Sequence, residues 1–380
     1  MSALAAEVEQ QIDALLAAPT FSLEPAEQQA RLLRVLQNEL SYAAERNERV
    51  RHYLDAWPTD YRGATSLADL PYLPVGAFKA SPPLMLTATE NIVRTLASSA
   101  TTGQTPSRVA LDAPTSRRMI KGVVAIASDF IGPRRRPYLV IDTAATLAAG
   151  GELGARAAAI QGLRPFATEM ACCLSGDGAR EPRIDESLLA AFAAKCGAVE
   201  VLAYGFTYVI WQHFVRPLRE RGIRLQLPNI RVLHSGGWKR LQEQAVTRAA
   251  FAAGVADVFG CSADRVLDFY GMVENVGVIY PDCVYGYKHV PAFATVIVRD
   301  PLTLRPVEEG QQGLVQVCSV LPTSFPGFLV LTDDIAEVIR YDGCACGRRG
   351  ISFRFVKRVP QAEIRGCGNI DTTRQRPVAA

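Results

Sequence analysis

From about residue 70 onward the chain alternates between short apolar runs ending in turn residues and longer stretches with helical spacing, a pattern few folds accept. PYLVID (137–142), AVEVLAYG (198–205), RVLHSGG (231–237) and VLDFYG (266–271) are the runs, and 115–131, 185–195, 206–221 and 239–259 are the helical stretches. Runs this apolar must be covered on both faces, which predicts an α/β sandwich built on parallel strands. Ligands of such sheets sit just past the carboxyl ends of the strands. Three segments fall there: AYGFT (203–207), SGGWK (235–239) and YGMVEN (270–275). After residue 285 the strands shorten, with ATVIVRD, GLVQVCS and ISFRFVKR, which predicts a second, β-rich subdomain. Helical segments over 2–17 and 25–48 open the chain, the first capped at Ser2 and the second carrying Leu32, Leu33, Leu36 and Leu40 at helical spacing. They are expected to form a lid or clasp on the main body.

Bulk properties remove several function classes. A net charge of +3 over 380 residues gives no general attraction for nucleic acid or for a membrane surface. Arg134, Arg135 and Arg136 read as a solvated loop. No stretch approaches the roughly 20 apolar residues of a membrane span. The N-terminus carries acids where a secretory leader carries Lys or Arg, so a cytoplasmic protein is expected. Nine cysteines, odd in number and irregular in spacing, suit reduced thiols, a metal site or a reactive thiol better than a disulfide framework.

The loop LASSATTGQT (96–105) crowds small hydroxylated residues behind the strand-like NIVRTLA and ahead of VALDAPTSRRMIKGVVAIASDFI, read as a helix with Pro in its first turn. It is either a surface turn or a cradle for phosphate. For the cradle, Gly103 permits close backbone approach, and Ser98, Ser99, Thr101 and Thr102 supply hydroxyls. The Gly-Lys-Ser ending of a P-loop NTPase is missing. In YGMVE, Tyr270 stands at a strand end and Glu274 is placed to hold a hard cation through oxygen, or else to favour a helix N-terminus. In LTDD, Asp333 and Asp334 form either a turn or an acceptor for the two hydroxyls of a ribose.

In this order, the hydroxyl-rich loop, YGMVE, Thr332-x-Asp334 and Arg358 resemble the motif series of the acyl-adenylate-forming superfamily. FKASPPL, SSATTGQT, FIGPRRRPYLVID, SGGWKRL, DFYGMVENVGVIYPDC, GYKHVP, SFPGFLVLTDD, CACGRRG and AEIRGC narrow the likeness to the LuxE-type acyl-protein synthetases, relatives of phenylacetate–CoA ligases, over about residues 71–367. The fold this implies is the large N-terminal α/β domain of an adenylate-forming enzyme, a layered sandwich with a β-rich subdomain. The expected layout is an N-terminal helical segment over 1–60, an adenylate-forming core over 61–356 with its β-rich part from about 285, and a short tail over 357–380 in place of the usual mobile C-terminal domain.

The implied activity is ATP- and Mg²⁺-dependent conversion of a fatty or aryl acid to acyl-AMP, followed by transfer of the acyl group to a thiol. By resemblance, Ser98, Ser99, Thr101, Thr102 and Gly103 hold the β- and γ-phosphates. Ser235, Gly236, Gly237 and Trp238 border the adenine, with Tyr270 and Gly271 beside it. Glu274 binds Mg²⁺, and Asp334 takes the ribose with help from Arg358. Tyr204, Gly205, Phe206, Thr207 and His234 line the acyl pocket. Cys367 carries the acyl group as a thioester, with Arg365 favouring its thiolate, before it passes to a reductase or carrier protein. Two departures stand out: Ala100 replaces a usual Gly, and Lys357 replaces the Gly before Arg358. Without the mobile domain, the cation assisting adenylation is one of Lys79, Lys239 and Lys288. The rival readings are direct transfer to coenzyme A, a carrier-protein arm or an amine, and a non-catalytic nucleotide-binding subunit.

Cys283 and His289 form C-x5-H, and Cys344 and Cys346 form C-x-C in a Gly-rich turn. Three thiolates and one imidazole suit tetrahedral structural Zn²⁺. Such an ion would tie the loop after Glu274 to the loop before Arg358.

Overall fold

The computed structural model describes residues 2–98, 105–148, 152–176, 181–238, 243 and 245–359. Among these, three sheets and their covering helices form two apolar cores.

The first helices follow the sequence pattern closely. Helix α1 (Ala3–Leu16) starts where the Ser2 hydroxyl accepts the Ala5 amide at 3.2 Å, satisfying one of the amides that a helix start leaves open. Helix α2 (Pro25–Arg46) has Pro at its first position and buries Leu32, Val35, Leu36 and Leu40. Each such side chain contributes about 1.5–3 kcal/mol of burial. Leu33, expected on that face, is only partly buried. A third helix, α3 (Glu48–Asp55), was not anticipated. Asn47 ends α2 and begins α3, its side chain accepting the Val50 amide at 3.1 Å. The opening helices share their core with the β-rich sheet, and Gln28 of α2 donates to the Pro291 and Ala294 carbonyls at 2.9 and 3.1 Å.

Strands β1 (Ile92–Ala97) and β2 (Arg108–Asp112) form an antiparallel pair around the hydroxyl-rich loop, with 152–154 added in parallel to β1. The segment 109–112, read from sequence as the start of a helix, is therefore strand. Helix α4 (Ala113–Ile131) begins after it, where the Asp112 carboxylate caps the Thr115 amide at 2.8 Å. β-branched Val109 and a capping Asp explain the break.

The parallel sheet contains β3 (Arg136–Thr143), β4 (Ala167–Ser175), β5 (Val201–Phe206), β6 (Ile230–Ser235) and β7 (Val266–Tyr270) in the order β7-β6-β5-β3-β4. Short antiparallel strands at 280–281 and 183–184 close its two edges. All six residues of β5 are buried, as a central strand covered on both faces requires. Helices α5 (Ala155–Leu163) and α6 (Glu186–Cys196) link strands of this sheet. Helix α7 runs Thr207–Ile210 in α geometry, Trp211–Val215 in π geometry and Arg216–Glu220 in α geometry. Helix α8 (Arg248–Phe259) starts at a Thr247 cap, nine residues later than the spacing predicts.

The β-rich sheet contains β8 (Ala294–Arg299), β9 (Gln312–Ser319), β10 (Leu329–Arg340) and β11 (Ser352–Arg358), all antiparallel, in the order β11-β10-β9-β8. The strand at 288–289 pairs with β11 at its edge, and Leu73–Pro74 joins β10 in parallel. Strand β11 runs across the boundary expected at 357.

Candidate functional site

The carboxyl end of β7 and the middle of β10 converge on one carboxylate. Asp334 is paired with Arg358 across the β10–β11 ladder. Its two oxygens accept Arg358 Nε at 2.8 Å and an Arg358 terminal nitrogen at 3.2 Å. Tyr270 Oη donates to Asp334 Oδ2 at 2.8 Å. Burial first, then the Asp334 charge, pushes the Tyr270 phenol well up, so it stays a donor. Asp334 also raises the Arg358 guanidinium. Asp334 is 1% exposed whereas the Arg358 side chain is 70% exposed, so the carboxylate is anchored from the solvent side. The Tyr270 ring stacks on Phe355, centroids 5.6 Å apart.

Glu274 lies in the loop that leaves β7. It is 4% exposed, and burial raises its carboxyl, opposed by a hydrogen bond from Ser107 and by the Arg358 charge. A carboxyl so placed gains from a cation that restores its charged form. Its loop is held against α4 at Gly277, whose φ is +80° and where an added Cβ would lie 2.7 Å from the Met119 Cα.

Ser98 closes the neck of the hydroxyl-rich loop. Its amide donates to the Ser107 carbonyl, and its Oγ accepts the Ser107 amide, both at 2.9 Å. Ser99, Ala100, Thr101, Thr102 and Gly103, together with Lys239, Arg365 and Cys367, lie outside the described residues.

At the ends of β5 and β6, Ser235 Oγ and Tyr204 Oη are 2.9 Å apart. Gly236 has φ +86°, and a Cβ there would come within 2.7 Å of the Phe206 ring, so glycine is required by conformation and by space. Tyr204 is fully buried, stacked on Phe269, and Gly205 backs onto Ile141 and Ile210. Phe206 and Thr207, which follow them, are buried as well, and Trp238 is partly exposed.

From Thr207 runs a polar chain that sequence reasoning missed. His234 Nδ1 is 2.9 Å from Thr207 Oγ1 and 3.6 Å from Asp268 Oδ1. Lys288 Nζ donates to Asp268 at 2.8 Å and to Asp282 at 3.2 Å, and Arg248 reaches Asp282 at 2.9 Å. Lys288 is 4% exposed and committed to two carboxylates, so it is built into the scaffold. Lys79 is partly exposed at the end of a short 3-10 turn (Val75–Lys79). The available signal was an aspartate inside an otherwise apolar strand, VLDFY. A second missed pair joins Asp142, at the end of β3, to Arg156 of α5, whose Nε donates at 2.9 Å.

Cys283, His289, Cys344 and Cys346 come together, their ligand atoms all within 4.8 Å of one another. Cys346 Sγ is 3.3 Å from His289 Nε2. Burial, with Arg348 nearby, lowers His289 to about 4, which keeps the imidazole neutral. Two hairpins thus present three sulfurs and one nitrogen at a spacing that a tetrahedral ion fits. His289 Nδ1 is buried with no hydrogen-bond partner among the described residues.

Comparison with known proteins agrees with this architecture. The family described as acyl-protein synthetase, LuxE, matches residues 3–374. A long-chain-fatty-acid–luciferin-component ligase of Vibrio harveyi is 31% identical over 137 residues, 36% of this chain and 35% of that protein. The ligase of the same name from Aliivibrio fischeri is 28% identical over 167 residues, 43% of this chain and 42% of that protein. The matches thus span well under half of these relatives. Among solved structures, 2-hydroxyisobutyryl-CoA ligase in an open conformation, in complex with 2-HIB-AMP and CoA, superposes with a TM-score of 0.66 at 17% identity, covering 89% of this chain and 76% of that one. The fold is accordingly that of the large domain of an adenylate-forming ligase. With the family match running over nearly its whole length, the chain belongs to the LuxE acyl-protein synthetase family.

Proposed function

We propose that the chain is a ligase that activates a carboxylic acid with ATP and passes the acyl group to a thiol. A carboxylate oxygen attacks the α-phosphorus, the bond to pyrophosphate breaks, and an acyl-AMP anhydride forms. A thiolate then attacks the acyl carbon, the carbon–oxygen bond to AMP breaks, and AMP leaves with the electron pair. The observation that carries this reading is Asp334, buried and fixed from two sides by Tyr270 and Arg358. A carboxylate with both oxygens oriented accepts a vicinal diol well, because its geometry is set before the ligand arrives.

The other roles follow the family likeness. The loop 98–103 takes the terminal phosphates, and 235–238 with Tyr270 and Gly271 border the adenine. Glu274 would hold Mg²⁺, which supplies charge neutralisation at the phosphoryl oxygens. Residues 61–356 form the adenylating core, and Cys367 is the acyl-carrying thiol, delivering to a reductase or carrier protein. Cys283, His289, Cys344 and Cys346 would hold structural Zn²⁺. No helix among the described residues is long and apolar enough to cross a membrane.

Pyrophosphate exchange into ATP, run against a mixed library of fatty and aryl acids, tests the first half-reaction. Exchange with at least one acid is expected, and its absence across the library overturns the reading. Cys367→Ser should keep exchange and lose product transfer. Transfer that survives the substitution removes the self-acylation step.

A further inference from the structure

We propose that the open edge of β4, with the basic groove beside it, is a docking surface for an extended acidic segment of a partner protein. The residues that build it stand at the amino ends of β3, β4 and β5, the end of the sheet opposite the proposed nucleotide site.

The groove is shaped by Arg136. The triplet Arg134, Arg135 and Arg136, expected as a solvated loop, is so only in part. Arg136 is 3% exposed, and its guanidinium donates to the Ile131 and Arg134 carbonyls at 2.9 and 3.0 Å. It thereby holds the turn that leaves α4, with Arg134 and Arg135 exposed on the outside. Arg135 Nε donates to the Ala167 carbonyl at 2.8 Å, at the first residue of β4. Between this turn, the start of β4 and the end of α6 lies an open cavity of about 540 Å³. Four cationic side chains, Arg134, Arg135, Arg136 and Lys195, line it against two anionic ones, Glu169 and Glu200. Lys195 is paired with Glu169 at 2.6 Å, and Arg134 with Glu200 at 3.0 Å. Arg135 has no carboxylate partner among the described residues, so the groove keeps an excess of positive charge.

The same groove runs along an unpaired strand edge. On one side β4 pairs with β3. On the other, the 183–184 strand covers only Leu174 and Ser175, and the Asp185 amide takes the Cys173 carbonyl. Among the described residues no strand pairs with 168–172 on that side, and Thr168, Glu169 and Met170 are all exposed. Such an edge presents backbone donors and acceptors that an added strand satisfies, while a neighbouring cavity takes its alternate side chains. Charge decides which strand can add. A second copy of this chain would set the same excess of cations against itself, whereas an acidic segment neutralises Arg134 and Arg135. Val199, 47% exposed in the same cavity, offers an apolar contact between the acids.

Fluorescence anisotropy of the full chain with a labelled strand-forming peptide that alternates Glu with Val and Thr tests this. The peptide is expected to bind about tenfold or more tightly than its counterpart with Lys for Glu, and to weaken as salt rises. Arg134→Glu and Arg135→Glu should each lower the affinity by about threefold to tenfold, while Arg62→Glu, at an exposed arginine elsewhere, should not. The Arg134 side chain is 78% exposed, so Arg134→Glu should keep the wild-type melting temperature and pyrophosphate exchange. Hydrogen exchange should slow at amides within 168–172 when the peptide binds, which charge neutralisation alone does not produce. The assignment is overturned if neither peptide binds, if the two bind alike, or if Arg134→Glu and Arg135→Glu bind the acidic peptide as the wild type does. Unchanged exchange at 168–172 overturns it as well. A single-stranded oligonucleotide that binds as tightly at the same arginines would make the surface a general polyanion site and sink the proposal. So would sedimentation of the free chain as a dimer that Arg135→Glu dissociates, which assigns the edge to a second copy.

Discussion

Asp334 concentrates the site into one residue, since removing its side chain strands two donors at once. Asp334→Ala is expected to lower pyrophosphate exchange by about 30-fold to 1,000-fold, as loss of an oriented charged partner does. Asp334→Asn should recover part of this, since it keeps one acceptor. Steady-state exchange rates decide the point, and an Asp334→Ala protein with wild-type rates would remove the residue from the site. His234 makes a different prediction. Its folded value lies near 4 against an ordinary value near 6.5, so between those limits the unfolded chain binds more protons. Stability is therefore full above about pH 6.5 and is lost as pH falls toward 4, by about 3 kcal/mol over the window. Urea unfolding from pH 7 to 4 should show this slope reduced in His234→Gln and intact in the exposed control His52→Gln.

At the scale of elements, the loop carrying Glu274 depends on how closely α4 approaches it. Gly277 combines φ +80° with a Cβ position 2.7 Å from backbone, so Gly277→Ala is strained in conformation and in space. It should cost about 2 kcal/mol or more and weaken nucleotide binding. Both effects are readable as a lower melting temperature and a raised KM for ATP. An unchanged melting temperature would show that the loop relaxes freely. The strands of the parallel sheet were legible because burial on both faces leaves continuous apolar runs, as in β5. Residues 108–112 and the start of α8 were not. Apolar Val109, Ala110 and Leu111 suit strand and helix alike, and their pairing with β1 is a contact no local pattern contains.

For the molecule as a whole, the Cys/His cluster joins the segment after the Glu274 loop to the turn before β11, so a metal there would brace both segments beside the proposed nucleotide site. Metal analysis of the purified protein is expected to give about one equivalent of zinc. Chelation should lower the melting temperature by several degrees, and Cys344→Ser should do the same. Well under one equivalent, with no response to chelator, would leave the cluster as reduced thiols. By itself, the sequence determined the alternation of strand and helix, the cap at Ser2, the motif series and the residue types available as ligands. All of these are set by neighbours along the chain. Only the tertiary structure decided that Tyr270 and Arg358 share the Asp334 carboxylate and that Lys288 is spent on Asp268 and Asp282. Hydrogen bonds between residues dozens of positions apart depend on strand register and on how helices pack. Those are fixed by burial of the whole core, which no short stretch of sequence contains.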